Sequence, residues 1–109
     1  VADEGDEEVV EAMSALLKDA CADVRSASLH ALSIVARTCQ DAPLVREVGE
    51  CLEDDEECVR TAAVQALGAI ADGHGEHAFL VVSSRLLHRR QEVRLAAVQA
   101  MGATTCEGD

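Results

Sequence analysis

Apolar positions recur every three to four residues along most of this chain. In VRTAAVQALGAIA (59–71), Val59, Ala62, Ala63, Ala66, Leu67 and Ile70 fall on one face of a helix. The same helix is written earlier as VRSASLHALSIVA (24–36) and later as VRLAAVQAMGATT (93–105). Alignment on the Val-Arg pair brings Ala27, Ala62 and Ala96 into register, then Ala31, Ala66 and Ala100, then Leu32, Leu67 and Met101. Upstream of each pair lies a second segment, EVVEAMSALL (8–17), PLVREVGECL (43–52) and AFLVVSSRLL (78–87), in which Leu17, Leu52 and Leu87 are spaced by 35. Each unit therefore reads as two helices, with units at 6–36, 43–71 and 77–105 of a single domain.

A repeat of 34 to 35 residues is the mark of a solenoid. One pair of short helices cannot bury both of its apolar faces, so each unit must stack on the next and the core becomes a seam running through the array. The expected fold is all-α, an α-solenoid of about three stacked antiparallel helix pairs. Turns between units are expected at Asp41-Ala42-Pro43, where Pro suits a helix start, and at Asp72-Gly73-His74-Gly75. Breaks inside the units fall at KDACAD (18–23), EDDEEC (53–58) and HRRQE (88–92), the last one residue shorter, and Asp23 reads as an N-cap.

Composition agrees with helices. Phe79 is the only aromatic residue, so the interior must be built from Ala, Val, Leu and Ile, which suits close-packed helices more than a sandwich. A formal charge of -12 argues against nucleic acid and anionic lipid as partners, since both are bound through Lys and Arg. The five cysteines (Cys21, Cys39, Cys51, Cys58 and Cys106) show neither disulfide-framework nor zinc spacing. They read as small packed thiols in a reducing compartment, and with no bilayer-length apolar run the chain is expected to be intracellular, soluble and not membrane-inserted. It opens on Val1, and the stretch 105–109 stops where another repeat could begin, so a fragment of a longer array is expected.

These segments carry a resemblance. LLKDACADVRSASLHALSIVA (16–36) and CLEDDEECVRTAAVQALGAIA (51–71) are similar to HEAT repeats of the short type named after the phycobilisome lyases, approximately LLxDxxxxVRxxAxxALGxIxx. LLHRRQEVRLAAVQAMGATT (86–105) departs, with Arg89 where Asp19 and Asp54 stand and Thr104 where Val35 and Ile70 stand. The armadillo/HEAT-like resemblance implies a ladder between successive units, which assigns a structural role to Asp19, Asp54, Arg25, Arg60 and Arg94 and leaves the third rung in doubt at Arg89.

The family includes enzymes, so catalysis must be argued on residues. The resemblance extends to deoxyhypusine hydroxylase, which holds two irons through His-Glu pairs directly after the repeat arginine. The same slots here are Ser26-Ala27, Thr61-Ala62 and Leu95-Ala96, and these cannot supply imidazole and carboxylate donors. A bilin lyase would need a longer surface. His74 and His77, with Glu76, sit in a turn with no third and fourth ligand nearby. His30 matches Gln65 and Gln99 on a solvent face, and His88 stands beside Arg89 and Arg90. The acidic run 53–57 lacks the alternation of a calcium loop. No catalytic, cofactor or metal residue is assigned, and the chain is expected not to be an enzyme.

What remains is surface. The expected function is a protein-interaction or scaffold module whose curved acidic face binds a protein with a basic surface or peptide, through Glu47, Glu50, Glu53, Asp54, Asp55, Glu56 and Glu57. Arg85, Arg89, Arg90 and Arg94 form a basic patch near the other end. The alternatives are a structural spacer inside a larger complex, or part of a HEAT-like lyase or hydroxylase whose ligands lie outside this segment. Absence of Trp and Tyr removes the usual anchors of a tight interface, which leaves either a largely electrostatic, salt-sensitive interface or a structural spacer.

Overall fold

Helix-forming Ala and Leu, with a single Pro at the start of one segment, give five α-helices among the residues that the computed structural model describes, 4–35 and 42–105. They are α1 (Glu4–Leu16), α2 (Ala22–Val35), α3 (Ala42–Glu50), α4 (Glu57–Ser83) and α5 (Gln91–Thr105), with a 3-10 turn, Cys51–Glu53, after α3. The protein is all-helical among the described residues. Expectations for Asp41, Cys39 and Cys106, and for the side chains of Thr104, His74, Glu76 and His77, fall outside them.

α4 packs against α2, α3 and α5, and one apolar cluster draws on residues from Leu17 to Ala100. It runs from Leu17, Leu29 and Leu32 through Val48, Leu52, Leu67 and Ile70 to Val82, Ala97 and Ala100. The molecule measures 39 × 36 × 18 Å, and its least dimension is that of two helix layers. Alanine lines the closest approaches. Gly68 on α4 has Ala103 of α5 so near that a Cβ at Gly68 would lie 3.2 Å from the Ala103 methyl.

Three sequence expectations are corrected by these coordinates. Asp72-Gly73-His74-Gly75 is not a non-helical turn, because α4 is helical throughout Glu57–Ser83. A straight helix of this length would hold its ends about 40 Å apart. Yet Arg85 Nε lies 2.9 Å from Glu53 Oε2, and the four residues from Glu53 to Glu57 span at most about 14 Å when extended. α4 is therefore bent. Gly73 and Gly75, with no proline nearby, supply backbone freedom for a bend that keeps the helical assignment.

The second correction concerns register. The buried positions Leu44, Val48, Leu52 and Val59 correspond to Ala78, Val82, Leu86 and Val93, a uniform offset of 34. Leu86 packs on the core, whereas Leu87 is 93% exposed. The missing residue of the third unit therefore lies between the units, not within HRRQE, and His88 occupies the place of Asp19 and Asp54 that the repeat alignment gives to Arg89. The third correction is Asp23, which stands inside α2 in its first turn and so does not precede the helix as an N-cap. Asp19 supports that helix start instead, as its Oδ1 accepts from the Cys21 N–H at 2.9 Å.

Candidate interaction surface

The loop between the two helices of each unit is built the same way three times. Asp19 Oδ1 accepts from Cys21 N–H, Asp54 Oδ1 from Glu56 N–H at 3.0 Å, and His88 Nδ1 from Arg90 N–H at 3.0 Å. The repeat arginine then ties the loop from the helix side. Arg25 Nη1 donates to Asp19 O at 2.7 Å, Arg60 Nη1 to Asp54 O and Asp55 O, and Arg94 Nη1 to His88 O and Arg89 O. Each arginine thus satisfies carbonyls that would otherwise stand unpaired at a loop.

Between units the charges are consumed differently at the two seams. At the first, Arg25 grips Asp54 through Nε and Nη2 at 2.9 and 3.1 Å, and this hydrogen bond is the main cause that raises the Arg25 pKa above its ordinary value. At the second, His88 replaces the aspartate, and no side-chain carboxylate stands in Asp54's place for Arg60. The polarity is reversed there. Arg85 faces Glu53 at 2.9 Å, close enough for charge attraction though misaligned for a hydrogen bond, and Arg90 Nη2 donates to Asp55 Oδ1 at 3.2 Å.

The expected acidic docking strip is thereby divided. Glu53, Asp54 and Asp55 face Arg85, Arg25 and Arg90 of this same chain, while Glu47 meets Ser14 across the first seam. Glu50, Glu56 and Glu57 remain exposed, with no ion pair among the described residues. The basic patch divides similarly: Arg85 and Arg90 lie in the second seam, and Arg89 and Arg94 are exposed. Alignment on Val93 would have brought out His88; opposite charges recurring 32 and 35 residues apart, Glu53 with Arg85 and Asp55 with Arg90, would have brought out the second seam.

An open cleft of about 420 Å³ runs between α2 and α4. Ser26 and His30 line one wall, Thr61 and Gln65 the other, and Glu57 and Cys58 the end. His30 and Gln65, equivalent in the repeat, thus share one polar face of the second helices. Cys51 lies in the first seam beside Lys18 and Glu50, and burial pushes its thiol up to about 11. Cys21 and Cys58 are exposed free thiols. Among the described residues no group of three His, Cys, Asp or Glu side chains is placed to hold a metal ion.

Fold and surface together define the class, an all-helical protein of packed repeat units. Residues 43–74 match the family model HEAT repeat, which supports the HEAT-repeat family for this chain. Compared with curated proteins, the chain has no match. HEAT repeats commonly mediate protein–protein interaction or scaffolding, which points to protein partners. Among the described residues no helix is long and apolar enough to cross a membrane.

Proposed function

We propose that the chain is an α-solenoid of three stacked helix pairs, of the phycobilisome-lyase-type short HEAT repeat, and that it serves as a non-catalytic protein-interaction or scaffold module. One observation carries the stacked arrangement. Ser14 of the first unit touches Glu47 of the second, and Gly49 of the second touches Val81 of the third. Ser14 and Gly49 are equivalent by the offset of 35, Glu47 and Val81 by the offset of 34, so the same contact recurs at both seams. Stacked second helices then present one face, along which lies the polar cleft edged by Glu57, while Glu56 is exposed beside it in sequence and Glu50 is exposed at the end of α3, by the first seam. That face suits a partner segment carrying Lys or Arg, held by a salt-sensitive interface.

The test is retention of partner proteins on the immobilised chain, eluted by a salt gradient and compared with a Glu50→Gln, Glu56→Gln, Glu57→Gln variant. The expected result is a protein that leaves at moderate salt and is not retained by the variant. Retention unchanged by the three substitutions would overturn the electrostatic reading. Absence of any retained protein would favour a structural spacer within a larger complex, a reading supported by the use of Glu53, Asp54 and Asp55 inside the molecule.

A further inference from the structure

Of the three loops inside the units, the third is closed by an imidazole. In the first two a carboxylate oxygen accepts from the N–H two residues on, Asp19 from Cys21 and Asp54 from Glu56. In the third the acceptor is His88 Nδ1, 3.0 Å from the Arg90 nitrogen. Histidine is the residue type that changes charge between pH 5 and 8, whereas aspartate is ionised throughout that range. One loop of the three is thus closed by a group that a proton can disable.

The two ring nitrogens have opposite tasks. A ring nitrogen that accepts from an N–H carries no proton, so the loop bond places the proton of the neutral imidazole on Nε2. Nε2 faces Glu53 Oε1 of the second unit at 3.6 Å, while Oε2 of the same carboxylate lies 2.9 Å from Arg85 Nε. Glu53 is therefore shared between a permanent cation and one that exists only when His88 is protonated. The His88 side chain is 23% exposed and that of Arg85 14%, so both contacts act in a partly dehydrated seam.

We infer that His88 is a proton-operated switch in the second seam. Neutral, it holds the loop closed by accepting from the Arg90 N–H. Protonated, it carries hydrogen on both nitrogens. Nδ1 then meets the Arg90 N–H donor to donor and the loop bond is lost, while Nε2 faces Glu53 as a charged pair.

Surrounding charges set the balance. Glu53, from the 3-10 turn, favours the protonated ring, and so does Asp55, which is paired with Arg90. Arg85, Arg90 and Arg94, each in contact with the loop or with Glu53, oppose it, with Arg89 next in sequence. Arg60 on α4 opposes it too, since its repeat counterpart Arg25 reaches Asp54, the equivalent of His88.

Opening the loop acts across the seam through Arg90. Its side chain donates to Glu53 O at 3.3 Å and to Asp55 Oδ1 at 3.2 Å, so release of its N–H loosens two contacts to the second unit as the His88–Glu53 pair tightens. The first seam is held by an arginine and an aspartate, residue types that do not titrate between pH 5 and 8.

NMR of the 15N-labelled 109-residue chain at pH 8 and pH 5 tests this. At pH 8 the His88 ring is expected to carry its proton on Nε2. On acidification, protection of the Arg90 amide against solvent exchange should fall by at least about fivefold, while the amides of Cys21 and Glu56, bonded to aspartates, keep theirs. His88→Asn keeps an acceptor at the loop and removes the titrating group, so Arg90 protection should be equal at the two pH values. Glu53→Gln removes the charge that holds the protonated ring, and the midpoint of the ring titration should move to lower pH. A neutral ring protonated on Nδ1 overturns the inference. So does Arg90 protection that is unchanged in the wild type, or that falls equally at Cys21 and Glu56. A midpoint unmoved in Glu53→Gln overturns the pairing with Glu53, and with it the switch.

Discussion

Asp54 shows how one side chain serves two structural ends. Its Oδ1 accepts from the Glu56 N–H, shaping the loop, and both of its oxygens hold Arg25 of the preceding unit. Asparagine can keep the first role and only part of the second; alanine keeps neither. Thermal denaturation is expected to rank the chains wild type, Asp54→Asn, Asp54→Ala in falling Tm, and equal Tm for the two variants would show that the loop bond contributes nothing. Cys51 makes a different residue-scale prediction. Desolvation in the first seam raises its thiol from an ordinary 9.0 to about 11. Below pH 9 the thiol is neutral in both states and its contribution to stability is complete; as pH rises towards 11 the unfolded chain releases the proton first, so stability falls. Urea denaturation at several pH values should show this slope and its loss in Cys51→Ala. With Cys39 and Cys106 replaced by Ser, a thiol reagent should modify Cys21 and Cys58 quickly and Cys51 only on unfolding.

At the scale of helices, three glycines at packed or packable positions should respond in opposite directions. A Cβ at Gly49 would overlap Val81, so Gly49→Ala is expected to destabilise by about 1–3 kcal/mol. Gly102 has open space, so Gly102→Ala should gain about 0.5–1 kcal/mol from helix propensity. Gly68, where an added Cβ would lie 3.2 Å from the Ala103 methyl, should fall between them. Leu67, fully buried in the cluster, should cost about 2–5 kcal/mol on truncation to Ala. Chemical denaturation with matched m-values measures all four. The second helices of the units were legible in the sequence because Val-Arg and three small or apolar positions keep register through every copy. The register of the first helix of the third unit was not, since Leu86 and Leu87 are adjacent and locally equivalent. Only packing sends Leu86 to the core and Leu87 to solvent.

Across the whole molecule, the run 53–57 and the arginines of 85–94 read in the sequence as two separate poles of charge. Folding brings Glu53 and Asp55 against Arg85 and Arg90, so much of both poles becomes internal, and only Glu50, Glu56, Glu57, Arg89 and Arg94 stay available to a partner. The candidate interaction surface was thus legible in residue type and only partly in residue number.

The sequence by itself determined the helical class and the small apolar positions that fill the core, because these follow from a period that local spacing expresses directly. It also determined which arginine ends each loop, because Val-Arg recurs. Tertiary structure alone decided that α4 stays helical through Asp72–Gly75 and that Leu86 enters the core while Leu87 does not. Those outcomes depend on contacts between residues of different units, and a one-residue shift between units, invisible to the pattern of a single helix, changes every such pair.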